Sequence, residues 1–151
     1  MALYRAHAWG SERRWTAMFM QQLRSVLILE DESLVSMTME DLLRDLGAQQ
    51  VLSFTDQAMA VQHAQTADID CAILDVMIRG RPCFEIANIL DDRGIPFVFS
   101  SGLSVGELDN RHRNRPFLSK PFSDEELKDS IRQALESKRP DASAELEAIA
   151  E

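Results

Sequence analysis

The stretch "CAILDVMIRG", residues 71–80, decides how the chain folds. Its first four residues, Cys71, Ala72, Ile73 and Leu74, form an unbroken apolar run that ends on an acid, Asp75. A short apolar run without alternation suits a strand covered on both faces, as in the middle of a parallel sheet. Carboxylates are rarely buried without a partner. Asp75 therefore predicts the point where a central strand, read as residues 69–76, reaches an open rim.

Working outward, the same pattern recurs. Residues 26–29, "VLIL", run into Glu30-Asp31-Glu32; residues 50–54, "QVLSF", make a second, weaker strand. Residues 95–99 lead into Ser100-Ser101-Gly102, and "RPFLSK" is a fifth strand ending at Lys120-Pro121. Between the strands, apolar residues recur three or four apart, as on one helix face. The first such set is Val35, Met39, Leu42, Leu43 and Leu46, with Ser33 as N-cap and Gly47 at the C-terminus. The second is Ala58, Val61, Ala64 and Gln65 behind Thr55-Asp56, and the third is Ile86, Ile89 and Leu90 before Gly94. The last is Leu127, Ile131, Ala134 and Leu135 behind a capping box at Ser123 and Glu126, ended by Pro140. Residues 103–115 offer only Leu103, Val105 and Leu108 as anchors and predict a short or irregular helix. Strands alternating with helices imply a doubly wound α/β domain: a five-stranded parallel sheet, right-handed crossovers, helices on both faces.

The bulk properties bound the rest. The chain has 151 residues, 45% of them apolar and 27% charged, which suits one ordinary globular domain. No apolar run approaches the ~20 residues of a membrane span. The net charge is −9, although Arg5, Arg13, Arg14 and Arg24 crowd the start, so the remainder is more acidic still. An acidic body argues against direct nucleic-acid binding and suits a divalent cation or a basic patch on a protein partner. Cys71 and Cys83 form neither a disulfide framework nor a zinc site, and a reduced, cytoplasmic setting is expected. Arg13-Arg14 lacks the long apolar region and cleavage site of a twin-arginine export signal. Residues 1–24 are read as an extension that is loose or mis-started, with Met18 or Met20 as the natural start. The helical spacing of Trp15, Phe19 and Leu23 is the alternative. Residues 25–138 form the domain and 139–151 an acidic tail.

In such a sheet ligands bind beyond the carboxyl ends of the strands. Those ends carry Glu30-Asp31-Glu32, Asp75, Ser100-Ser101 and Lys120. Each alone has a duller reading, as a solvated turn, a loop cap or a surface charge; acids, hydroxyls and a lysine on one rim make a site. Crowded carboxylates call for a cation, and an oxygen-only set suits Mg²⁺ or Mn²⁺. A carboxylate beside such an ion can attack phosphorus, with a lysine and a hydroxyl holding the transferred oxygens.

"VLILEDE", "AILDVMIRG", "IPFVFSSG" and "FLSKPF" resemble, in order and spacing, the strand ends of the receiver domain of two-component response regulators. The resemblance runs over residues 25–137. It implies the flavodoxin-like strand order 2-1-3-4-5. It makes Asp75 the phosphoacceptor, Asp31 a direct Mg²⁺ ligand, Glu30 a ligand through water, and Glu32 a third acid. The Met77 backbone carbonyl completes the metal shell. Ser101 takes the switch hydroxyl position, with Ser100 its neighbour. Lys120 is the family lysine, followed by a Lys120-Pro121 bond that is commonly cis, and Phe117 is the aromatic switch. The partners implied are a histidine kinase or histidine phosphotransfer protein and a downstream protein target. The expected protein is a stand-alone signalling domain, not an enzyme beyond its own phosphorylation and dephosphorylation.

Two departures from the family pattern stand out. Arg79 and Cys83 replace a proline and a glycine after the acceptor, so the loop shape is expected to differ. Met77 and Leu103 are apolar beside the site and cannot orient a water, which predicts slow self-dephosphorylation. Arg111, His112, Arg113 and Arg115 suggest either a basic docking strip or a solvated loop. Against a haloacid-dehalogenase-type phosphatase, Met77 stands where that class needs a second aspartate. No G-x-G-x-x-G follows the first strand, against a dinucleotide site. A phosphorylation-independent interaction module is countered by the intact set of Glu30, Asp31, Asp75, Ser101 and Lys120.

Overall fold

Every residue of Ser25–Leu29, Cys71–Asp75 and Phe97–Ser101 is buried, the pattern of central strands covered on both sides. The structure, a computed structural model, describes residues 23–102 and 108–137. In chain order the elements are β1 (Ser25–Leu29), α1 (Ser33–Asp45), β2 (Gln50–Phe54), α2 (Gln57–Thr66), β3 (Cys71–Asp75), the short β4 (Met77–Ile78) and β5 (Arg81–Pro82), α3 (Phe84–Asp92), β6 (Phe97–Ser101), β7 (Phe117–Ser119) and α4 (Asp124–Ser137). The main sheet is parallel, in the order β2-β1-β3-β6-β7, which is 2-1-3-4-5 once the β4–β5 ladder is set aside.

Alternation along each strand divides the core in two. Leu27, Leu29, Ala72, Leu74, Phe97 and Phe99 point to one face and pack with Ala60, Ala64, Ile86, Ala87 and Leu90 of α2 and α3. Val26, Ile28, Cys71, Ile73 and Val98 point to the other and meet Met39, Leu43, Leu127, Ile131 and Ala134 of α1 and α4. At roughly 1.5–3 kcal/mol per large side chain, these two layers dominate stability. Leu23 is fully buried with the second layer, and the Arg24 and Ser25 amides donate to Asp70, so the packed unit takes in Leu23 and Arg24.

The local differences have simple causes. β3 starts at Cys71, not residue 69, because Asp70 turns its carboxylate to those amides. β6 runs to Ser101 rather than stopping at 99, since Asp75 still pairs with Ser100 and Ser101 with Ser119. Glu32, not Ser33, occupies the N-cap of α1 and makes no side-chain cap. In α2, Ala60 and Ala64 face inward while Ala58 and Gln65 are exposed. Asp56 does cap α2, accepting from Ala58 N at 2.7 Å, and the Ser123 hydroxyl accepts from Glu126 N at 3.2 Å. Gly47 and Gly94 follow α1 and α3 at positive φ, 105° and 71°.

Past Asp75 the chain folds into a tight hairpin. Met77 pairs with Pro82 and Ile78 with Arg81, antiparallel, around the two-residue turn Arg79-Gly80. Both turn residues have positive φ, 51° and 77°, as a type I′ turn requires. Cys83 is buried at the α3 N-cap and its amide donates to Val76 O at 2.8 Å.

Residues 108–115 form turns rather than a helix; Leu103 and Val105 lie outside the described residues, as do the extension before residue 23 and the tail from 138. The turns are held by single anchors. His112 is fully buried among the rings of Phe84, Phe97 and Phe99, and its Nε2 lies 2.8 Å from Asn88 Oδ1. Arg111 bridges Asp91 at 3.0 Å and Asp92 at 2.7 Å; Arg115 pairs with Asp91 and lies 5.0 Å over the Phe97 ring. Of the basic run read either as a docking strip or as a solvated loop, Arg111, His112 and Arg115 hold the segment against α3 and β6.

Candidate functional site

Three strands converge on one ammonium group. β1 ends and Glu30 follows it, 1% exposed, its amide bonded to Phe54 O at 3.0 Å. β3 ends on Asp75, 7% exposed. β7 runs out at Ser119, and the Lys120 amide donates to Ser101 O at 2.9 Å, which holds that residue beside β6. The Lys120-Pro121 bond is cis. From there Lys120 Nζ passes the end of β6 to reach Asp75 Oδ2 at 3.0 Å and Glu30 Oε2 at 2.6 Å. Residues 45 and 90 positions away in sequence meet at one atom.

The electrostatics follow from two buried carboxylates sharing one cation. Burial pushes Asp75 and Glu30 above their ordinary values; the bonds to Lys120 oppose the shift without cancelling it, and the Asp31 charge adds to it at Asp75. For Lys120, burial alone would lower the pKa, but its bonds to Glu30 and Asp75 outweigh that and raise it. Cys83 is pushed up to about 12 by burial and by the charge on Asp75, so it stays a thiol.

Other expected site residues fall on the same rim. Asp31 and Glu32 are exposed, and the carboxylates of Glu30, Asp31 and Glu32 lie within 4.8 Å of one another. Glu30 Oε1 accepts from Glu32 N at 3.1 Å, and the Met77 amide lies 3.4 Å from Asp75 Oδ1. Ser101 is 2% exposed; its neighbour Ser100 is fully buried, with its hydroxyl unpartnered among the described residues. Phe117 pairs with Phe99 across β6 and β7 and is half-buried. A cleft of about 810 Å³ opens over the set, lined by Asp31, Glu32, Asp75, Met77, Ser101 and Lys120. The donors are all oxygens and negative charge is in excess, which fits a hard divalent cation, and Asp31, Asp75 and Glu30 are the residues that could hold one. Leu103 lies outside the described residues.

Some residues that line the cleft were not placed at the site by the reading from sequence, among them Leu34, Phe122 and Arg79. Leu34, 80% exposed, and Phe122 lie at its margin, and Arg79 at the hairpin tip lines it. The Arg-Gly pair between two short extended segments was the available signal for the hairpin; nothing local indicated that its tip borders the rim.

The geometry has counterparts among known proteins. The family model described as response regulator receiver domain matches residues 26–132. The chain is a receiver domain of the response-regulator family. This receiver is 34% identical over 116 residues to the transcriptional regulatory protein PdtaR of Mycobacterium tuberculosis, covering 74% of the receiver's chain. It spans 57% of the length of that relative. Among solved structures, SdrG from Sphingomonas melonis Fr1 is similar at 39% identity and TM-score 0.65, covering 78% of this chain and 97% of SdrG. The BeF3-activated conformation of SdrG from Pseudomonas melonis Fr1 is similar at 38% and 0.63, covering 75% and 97%. No helix among the described residues is long and apolar enough to cross a membrane.

Proposed function

We propose that this receiver accepts a phosphoryl group on Asp75 from a phosphohistidine of a histidine kinase or phosphotransfer protein, and that the modified domain changes a protein-binding face. The observation that carries this is the Glu30–Lys120–Asp75 bridge. It presents a carboxylate, held by an ammonium, at the floor of an open cleft ringed by acids.

In the transfer, an Asp75 oxygen forms a bond to phosphorus as the donor's N–P bond breaks. The electron pair leaves on the donor imidazole, which then takes a proton. A bound Mg²⁺ would offset the charge of the acids and of the phosphoryl oxygens. Lys120 keeps its ammonium beside the acceptor throughout. Ser101, the last residue of the strand β6 that flanks Asp75, would donate to a phosphoryl oxygen, and Phe117 would follow into the space it leaves. That SdrG adopts a BeF3-activated conformation supports the view that a related rim responds to a phosphoryl-like group.

Incubation with Mg²⁺ and a small acyl-phosphate donor tests this. One phosphoryl group should add, located at Asp75 by mass spectrometry and absent from Asp75→Asn. No labelling by the small donor or by any phosphohistidine protein would overturn the reading and favour a phosphorylation-independent interaction module.

A further inference from the structure

Positive charge in the cleft is scarce. Its charged lining consists of Asp31, Glu32 and Asp75 against Lys120 and Arg79. Lys120 is already divided between two carboxylates, at 2.6 and 3.0 Å. Arg79 makes no hydrogen bond or ion pair with the described residues, and it is exposed. A phosphoryl group on Asp75 would add further negative charge beside these acids, and Lys120 meets it while still holding Glu30.

The backbone at Arg79 supplies an independent observation. Its φ of 51° lies in the left-handed region, which disfavours a residue that bears a side chain. Asparagine or glycine would satisfy the same turn with less strain. Strain of this kind, at a residue lining the same cleft as Asp75, points toward use of the side chain. The Met77–Pro82 and Ile78–Arg81 pairings fix where that residue stands relative to Asp75.

We infer that Arg79 is a phosphoryl-binding residue: its guanidinium takes oxygens of the group carried by Asp75, supplying a cation that no carboxylate of the site already holds. The inference rests on Asp75 being the acceptor. A guanidinium presents paired donors suited to such oxygens. Because the residue is exposed, the contact is screened by salt and its effect is modest.

The test compares wild type, Arg79→Asn and Asp75→Asn in a titration with beryllium fluoride at saturating Mg²⁺, together with thermal unfolding without ligand. Arg79→Asn is expected to melt at or above the wild-type temperature, because the strain is relieved. It should bind beryllium fluoride about two- to fivefold more weakly, the size of one exposed charged contact. Mg²⁺ alone should bind it no more weakly, since a cation beside the acids has been removed. Binding of beryllium fluoride within twofold of wild type overturns the inference. So does a lowered melting temperature in both Arg79→Asn and Arg79→Gly, which would give the guanidinium a structural role. If wild type binds no beryllium fluoride at all, the acceptor reading falls together with the inference. If wild type binds and Arg79→Asn binds equally, only the inference falls.

Discussion

At the scale of single residues, burial without a full set of partners recurs in this receiver. His112 is the sharpest case away from the site. It is fully buried against three phenylalanine rings, its Nδ1 has no partner among the described residues, and Asp109 and Arg111 are the charged groups that act on it. Burial lowers its pKa below the usual 6.5, with Asp109 opposing and Arg111 assisting. The folded state thus binds fewer protons than the unfolded state below pH 6.5. The stability due to neutral His112 is complete above that pH and is lost on acidification. Chemical unfolding between pH 7 and 5 should show wild type losing stability relative to His112→Phe, at up to about 1.4 kcal/mol per pH unit. The raised pKa values of Glu30 and Asp75 act in the opposite direction, but they are common to both proteins and cancel in the difference.

At the scale of elements, the β4–β5 hairpin is the form taken by the loop after Asp75, where the sequence leaves the family pattern. The family's proline and glycine positions hold Arg79 and Cys83, and the chain closes the gap with a two-residue turn. Gly80 has φ 77° and open space where a Cβ would stand, so alanine there meets no atom and costs only backbone strain. Gly80→Ala should lower stability by roughly 1–2 kcal/mol in denaturant titration while labelling of Asp75 persists. Loss of labelling at unchanged stability would show that the turn acts on the site directly. The hairpin was hard to foresee because two-residue strands are too short for periodicity to register. Residues 108–115 were hard for a related reason. Their order comes from one buried imidazole and from Arg111 and Arg115 reaching Asp91 and Asp92, about twenty positions earlier.

At the scale of the molecule, Lys120 ties the ends of β1, β3 and β7 together across the sheet. Removing it leaves Glu30 and Asp75 buried with no ammonium, so both carboxyls move further up and Asp75 becomes a poorer nucleophile. Lys120→Met should therefore slow labelling of Asp75 by two orders of magnitude or more, about the loss expected for one preorganised charge. Stability should meanwhile become more pH-dependent, greater in acid where the two carboxyls are neutral. Labelling at the wild-type rate would remove Lys120 from the chemistry.

The strand–helix alternation, the parallel sheet and the four rim positions were legible in the chain itself. Burial on both faces forces unbroken apolar runs, and an acid that follows such a run must find an opening or a charged partner there. Asp75 at the end of "CAILD" is that rule at work. Tertiary structure alone decided which groups share charge. It set Lys120 between Glu30 and Asp75, spent Arg111 and Arg115 on α3, and left Arg79 lining the cleft without a partner among the described residues. The physical reason is range. Apolar periodicity is a local property of the backbone, whereas a charge finds its partner only after distant strand ends have been packed side by side.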